Sequence, residues 1–422
     1  MHRIETSESE RRTVEPTLHV GIFPLPAYGH VNPTLRTARE LVGRGHEVTY
    51  YLPERFADVV EPTGATFERL GEEFDLMSRM NDDGKPGVNP TDDDQGSRRE
   101  RLVRFMSETL DYAPPLVDRV ARDDVDRVVT DPMCLWGRVV ANELDAPTVS
   151  FNTSFAMREG SPLIENVRSF DDDEPGFSGE ILELLTDVGI EDPDRSDFFV
   201  ADTDRALVPL TREFQPDAAS FGDDHVFVGP MVRDGGEQRD ADLPLDRLAE
   251  RRSVYVSLGT VIRGDDDFFR ACFDAFDDGE WEVVLKAKTD ADRLDAESPE
   301  NVHVRSRVPQ LDVLDRVDAF VTHGGMNSTM ESLSFGTPTV VVPHMADQHL
   351  VAERVSSLGV GVVLEDEEVT AAAVRDAADS ITAEPYHEAI EEFNVSARSA
   401  GGAERAADTI EEPGTAPQLT EG

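Results

Sequence analysis

Residues 320–348 read FVTHGGMNSTMESLSFGTPTVVVPHMADQ. An apolar run ends at Thr322 and reads as a buried strand. His323-Gly324-Gly325 then turns the chain into a helix whose first turn holds Asn327 and Ser328. Unspent N–H groups and the positive end of the helix dipole point outward at such a start, and the glycines let a ligand approach the backbone. That combination favours phosphate groups. Glu331, further into the helix, is placed to meet a ribose hydroxyl. A second apolar run ends at Pro343, and Asp347-Gln348 follow it, a carboxylate and an amide suited to sugar hydroxyls. A Gly-Gly turn with ordinary capping explains the glycines alone. The whole constellation points to a nucleotide-like ligand.

Working outward, short apolar runs recur along the chain. LHVGIF (18–23), HEVTYYL (46–52), DRVVT (126–130), APTVSF (146–151), RALVPL (205–210) and HVFVGP (225–230) are strand candidates in the first half. SVYVSLG (253–259), EVVLKA (282–287), VHVRS (302–306), DAFVTH (318–323), TPTVVVP (337–343) and GVGVVL (359–364) are candidates in the second. Helical patterns lie between them, including an amphipathic one over 100–121 and others near 134–144 and 385–399. Strand–helix–strand repetition of this kind makes parallel sheets. The expected class is α/β, with two Rossmann-like parallel-sheet domains facing across a cleft. The expected boundaries are a flexible segment 1–16, a first domain 17–232, a polar linker 233–244, a second domain 245–401 and a disordered acidic tail 402–422. Ligands in such sheets sit beyond the carboxyl ends of the strands, so residues just after strands carry the most weight.

Composition bounds the function. Apolar residues make up 39% of the 422 residues, roughly 46% with glycine included, which is enough for packed cores. No run approaches the roughly 18 apolar residues of a membrane helix. MHRIETSESERRTVEP (1–16) lacks the apolar centre of a secretory signal. The net charge is −47, and the only lysines are Lys85, Lys286 and Lys288; the other 37 basic residues are arginine. A broad basic surface for nucleic acid is excluded. Self-repulsion on this scale is screened at about 1 M salt, where the Debye length is about 3 Å. Acid excess with lysine depletion resembles the cytoplasmic proteins of extreme halophiles, which sets the expected location. Cys134 and Cys272 lie in apolar, helix-like contexts without metal-ligand spacing and read as buried thiols.

HGGxNSxxE followed by GxPxxxxPxxxDQ resembles the donor signature of GT-B glycosyltransferases that use UDP-sugars. The nearest branch is that of the macrolide glycosyltransferases, in glycosyltransferase family 1. The resemblance runs from about 18 to 400 and is densest at 20–50, 253–262 and 302–361. It implies roles for particular residues. In FPLPAYGHVNPTL, the GHxNP histidine, here His30, is the catalytic base, and Asp131, ending DRVVTD, is its carboxylate partner. A neutral imidazole suits removal of a hydroxyl proton near pH 7. Asp131 also reads as an N-cap before Pro132. By the same resemblance Ser257 or Thr260 of SLGT approaches the phosphates, with His323, Gly324, Gly325, Asn327 and Ser328. Val308 and Gln310 of RVPQLDVL clasp the base. Plant relatives carry tryptophan at the stacking place, where this chain has Arg307 or Val308, so uracil against thymine stays open. Ser154 and Phe155 are candidates for the acceptor wall.

The DDD runs at 92–94, 171–173 and 265–267 read as solvated surface in so acidic a chain, and no metal or cofactor is expected. His344 and His349 flank the sugar-contact segment and read as structural or weakly ligand-lining. The implied activity is inverting transfer of a hexose, with glucose expected, from a UDP-sugar to a hydroxyl of a hydrophobic acceptor such as a carotenoid or isoprenoid lipid. A peripheral membrane contact and the oligomeric state stay open. The alternatives are a UDP-sugar epimerase-like enzyme and a silent UDP-sugar-binding protein.

Overall fold

The computed structural model describes residues 17–75, 95–158, 161, 164, 177–193, 195–201, 203–233, 243–259, 266–287, 290–365 and 368–412. The expected segment 1–16, most of the expected linker, Thr260 and the acidic runs at 92–94 and 171–173 lie outside them. Of the third run, Asp266 and Asp267 open the helix Asp266–Ala275, and Asp266 pairs with Arg293 at 2.8 Å.

Two all-parallel sheets form. The first contains β1 (His19–Phe23), β2 (Glu47–Pro53), β3 (Thr66–Leu70), β4 (Arg127–Thr130), β5 (Thr148–Phe151), β6 (Arg205–Val208) and β7 (His225–Phe227). Their order is β3-β2-β1-β4-β5-β6-β7. The second contains β8 (Ser253–Ser257), β9 (Glu282–Lys286), β10 (Val302–Arg305), β11 (Ala319–Thr322), β12 (Thr339–Val341) and β13 (Gly361–Val363), in the order β10-β9-β8-β11-β12-β13. Central strands such as β1 and β8 are almost wholly buried, as expected of parallel strands covered on both faces. All twelve strand candidates appear. The thirteenth strand, β3, has no apolar run: TFERL is a half-exposed edge strand whose polar residues face water. The expected 100–121 helix is two helices, Gln95–Asp111 and Ala113–Arg122. The second begins where Pro114 and Pro115 lack the N–H groups that a continuous helix would need.

In each sheet the strand order reverses at one place, between β1 and β4 and between β8 and β11. Chains leaving adjacent strands there run to opposite faces and open a crevice at the carboxyl edge. The two sheets pack through a shared apolar cluster. Phe155, Phe214 and Phe227 from the first half meet Met330, Val355, Ile390 and Phe393 from the second, and the Phe214 and Phe393 rings lie 6.1 Å apart.

The expected disordered tail is corrected over 402–412. Gly402–Glu411 is a helix that returns to the first half of the chain. It buries Ala406, Ala407 and Ile410 against the core under Leu35, Ala38 and Leu41. Arg44 reaches Asp408 at 2.6 Å and Glu411 at 3.0 Å, and His46 Nε2 lies 2.8 Å from Glu411. The segment is polar on average, yet its few apolar residues fall on one helical face, which is all that docking needs. Residues 413–422 lie outside the described set.

Ile410 is fully buried. Ile410→Ala is expected to destabilise the protein by about 2–5 kcal/mol in denaturant melts. A change below about 0.5 kcal/mol, the scale of an inert surface substitution, would mean that this helix is undocked in solution.

Candidate active site

His30 and Asp131 come from the two strands that flank the first switch point. β1 and β4 pair with Phe23 opposite Thr130, and the Asp131 N–H donates to the Phe23 carbonyl at 3.0 Å. That register carries Asp131 to the strand edge, buried. The PLPAYGH turn after β1 leads into a short helix, Tyr28–Val31, that presents His30. Nδ1 of His30 lies 2.6 Å from Oδ2 of Asp131. The other carboxylate oxygen accepts the Met133 N–H at 2.9 Å, which fixes the carboxylate plane. A carboxylate only accepts, so Nδ1 carries the proton and Nε2 is left with its lone pair. Burial works to lower the His30 pKa. The charge and the hydrogen bond of Asp131 overcome it and leave the pKa above its ordinary 6.5.

Thr153 completes this cluster, and sequence reading passed over it for its neighbours. Its Oγ1 lies 2.9 Å from His30 Nδ1 and 3.5 Å from Asp131 Oδ2. The hydroxyl accepts a share of the Nδ1–H and donates to the carboxylate, holding both partners. The signal that could have found it is position: Thr153 follows β5, one strand beyond Asp131. Ser154 is half-buried beside it. Phe155 is 4% exposed and stacks on Phe214 at 5.9 Å in the cluster between the sheets, and it also lines a second cavity with Met157, Arg158 and Gln215.

The second switch point holds the other constellation. β8 and β11 pair with Ser257 opposite Thr322, so Gly259 and His323 emerge side by side. Gly324 has φ +81°, and a Cβ there would meet Val341 Cγ1 at 2.7 Å, so this position requires glycine. A Cβ on Gly259 or Gly325 would lie 2.5 Å from the His323 ring. The imidazole is therefore clasped between two bare backbones. Burial, then His344 and Lys286, push its pKa down to about 4, so it is neutral at pH 7 and can donate a hydrogen bond without carrying charge. The helix Met326–Ser334 follows, and its first internal bond runs from the Thr329 N–H to the Gly325 carbonyl. The N–H groups of Met326, Asn327 and Ser328 precede it and face outward.

Several expected contacts are spent inside the protein. Gln310 binds Glu331 at 2.6 Å and Ser328 at 3.2 Å through Nε2, while its oxygen accepts from the Tyr255 hydroxyl at 3.2 Å. Glu331 is 7% exposed, and burial raises its pKa. Val308 is buried in the cluster with Tyr255 and Phe320. Ser257 is buried and accepts the Gly259 N–H at 3.3 Å. Gln348 is 4% exposed, and its oxygen accepts the N–H groups of His344 (2.9 Å) and Met345 (3.2 Å). That oxygen caps its own helix, Ala346–Ser357. Asp347 sits half-buried in that helix's first turn, its carboxyl pushed up by burial. The Asn327 amide crosses between the halves and donates to the Gly29 carbonyl at 2.8 Å, beside His30. Between the constellations lies a cleft of about 350 Å³, lined among others by Asn32, Thr153, Arg233, Asn327 and Glu331.

Two doubly wound sheets with their switch points turned toward one cleft, a His–Asp pair on one side and a glycine-clasped helix start on the other, define the GT-B class. Residues 270–403 match the family model described as erythromycin biosynthesis protein CIII-like, C-terminal domain. The chain is 32% identical over 398 residues to the NDP-glycosyltransferase YjiC of Bacillus subtilis, covering 93% of this chain and 96% of the relative. It is 33% identical over 405 residues to the demethyllactenocin mycarosyltransferase of Streptomyces fradiae, covering 93% and 86%. The crystal structure of the glycosyltransferase of kitacinnamycin superposes with a TM-score of 0.77 at 29% identity, covering 94% of this chain and 99% of that one. The chain belongs to the macrolide-type, nucleotide-sugar-dependent GT-B glycosyltransferases.

The two histidines should titrate far apart. NMR titration of the imidazoles is expected to place His30 above 6.5 and His323 near 4. In Asp131→Asn the His30 value should fall below 6.5, because burial then acts without the opposing charge. An unchanged His30 value in that variant would show that the pair does not form in solution.

Proposed function

We propose that this glycosyltransferase moves a hexose, with glucose the expected sugar, from a UDP-sugar to the hydroxyl of a hydrophobic acceptor, with inversion. The observation that carries the reading is the 2.6 Å His30–Asp131 pair, whose partner Thr153 lines a cleft together with Met326 and Asn327 of the helix that follows His323-Gly324-Gly325. Nε2 of His30 takes the acceptor proton, and Asp131 stabilises the imidazolium that forms. The acceptor oxygen attacks the anomeric carbon as its bond to the diphosphate oxygen breaks. The electron pair leaves with UDP, whose charge is met by the neutral His323 donor and the helix-start N–H groups. The reading assigns no metal to this step. Asp347 and Gln348 are the candidates for the sugar hydroxyls. The Thr153 position and the apolar side chains of Met231 and Met330 around the cleft suit an apolar acceptor.

The charge of −47 with three lysines supports a protein of a high-salt cytoplasm. At multimolar salt the repulsion between this surface and an anionic donor is screened within about 3 Å. Donor KM is therefore expected to hold or fall as KCl rises toward about 3 M; a steep climb would remove this part of the reading.

UDP release from UDP-glucose, with and without a lipid and pigment extract, tests the chemistry. Extract-dependent release is expected from the wild type and should drop by about 10²–10⁴-fold in His30→Ala. The base acts when neutral, so the wild-type rate should rise with pH through a limb above 6.5. Release that is equal in both proteins would exclude His30 as the base.

A further inference from the structure

We propose that Arg233 is the counter-charge of the donor diphosphate, carried into the donor cleft from the end of the first sheet. The inference rests on the nucleotide-sugar reading above and adds a residue that the family signature does not contain.

The position of Arg233 is set by the sheet. After β7, the Val228 N–H binds the Val208 carbonyl and the Gly229 N–H binds the Leu210 carbonyl, both at 2.9 Å. Met231 is 6% exposed in the core above β1 and β2. The chain is thus anchored two residues before Arg233. The Arg233 side chain is half-buried in the cleft wall, between Thr153 of the His30–Asp131 cluster and Asn327 and Glu331 of the helix Met326–Ser334. Among the described residues lining this cleft, Arg233 is the one cation and Glu331 the one anion. Its charge couples to Glu331 across the cleft and to Tyr28 beside the base. Lys286 is the nearest alternative. It ends β9 in register with Ser257, couples to Glu331 and His323 from the sheet edge, and is not among the lining residues.

The chemistry asks for a cation here. A diphosphate brings at least two negative charges into a chain that already carries −47. The helix start offers dipoles, and His323, with its pKa near 4, offers a donor without charge. A guanidinium has fixed N–H forks that match phosphate oxygens, and it keeps its charge when buried. Charge developing on the leaving oxygen would meet it directly. Arg233 comes from the half that holds the base, while the donor helix belongs to the other half. Its contact would therefore bind donor and bring the halves together in one interaction.

Calorimetric titration of uridine, UDP and dTDP into wild type, Arg233→Gln and Arg233→Lys tests this. Wild type is expected to prefer the diphosphate over the nucleoside. Arg233→Gln should lose about 10- to 100-fold in UDP affinity, the scale of a charge-assisted bond, with uridine binding unchanged. Arg233→Lys should recover part of the loss. A purely structural ion pair with Glu331 would instead weaken uridine and UDP together and lower the melting temperature. An unchanged UDP-to-uridine ratio in Arg233→Gln, or parallel losses of both ligands, overturns the role of Arg233 and leaves the family reading intact. A wild type that binds neither UDP nor dTDP better than uridine overturns both. Should Arg233→Gln fail to fold, Arg233→Met, which keeps the apolar stem, provides the uncharged arm of the comparison.

Discussion

The pairing of β1 with β4 is the constraint on which the chemistry of this molecule depends. His30 and Asp131 are 101 residues apart in sequence. They meet because both follow strands that are neighbours at the point where the sheet order reverses. A one-residue shift in that register would turn each strand residue to the opposite face and carry Asp131 away from the crevice. β8 and β11 repeat the device in the second sheet, where Gly259 and His323 meet for the same reason. Two copies of one topological rule, turned toward each other, make the cleft.

Two histidines on opposite walls show how environment separates roles within one residue type. Both lose solvation, which disfavours the imidazolium. His30 has a carboxylate at 2.6 Å that more than compensates. His323 has glycine backbone on two sides and positive or neutral neighbours, so nothing opposes burial. A carboxylate thus holds one imidazole able to keep a proton, and burial holds the other neutral. Glu331 follows the same logic from the acidic side: burial raises its pKa, while the Gln310 bond, Arg233 and Lys286 pull it back.

Much of the fold was legible because parallel strands are apolar on both faces and stand out against so acidic a chain. Asp131 and the His323 turn were legible because each sits immediately after such a run, and His30 through the GHxNP motif and the family it resembles. What sequence reading missed has local physical causes. β3 carries its signal in hydrogen bonding rather than in apolar residues. Thr153 looks like any loop threonine until β5 is placed beside β4. Gln348 carries an amide suited to a sugar, and its oxygen also meets a local demand: the backbone N–H groups of His344 and Met345, at the start of its own helix, need capping. Phe155 reads as an exposed loop aromatic because its partner, Phe214, is distant in sequence. The helix Gly402–Glu411 has the composition of a tail, and only its apolar spacing betrays a docking face.

That last helix also ties the two halves of the chain together. The chain leaves the second sheet through the helix Glu384–Ser399, whose Phe393 packs on Phe214, and then crosses back to dock beside Leu35–Gly43. Three further contacts tie the halves on that side: Arg354 Nε to the Phe214 carbonyl at 3.1 Å, Ser396 to Glu213 at 2.6 Å, and the Gly402 N–H to the Val228 carbonyl at 2.9 Å. At the cleft itself the bond from Asn327 to Gly29 spans the gap. The halves are thus joined at two separate places, by apolar packing on one side and by this polar bond at the cleft. The carbonyl it engages precedes His30 by one residue, and the amide it uses belongs to the first turn of the helix Met326–Ser334. That bond ties the backbone beside the His30–Asp131 pair to the helix start that follows His323-Gly324-Gly325.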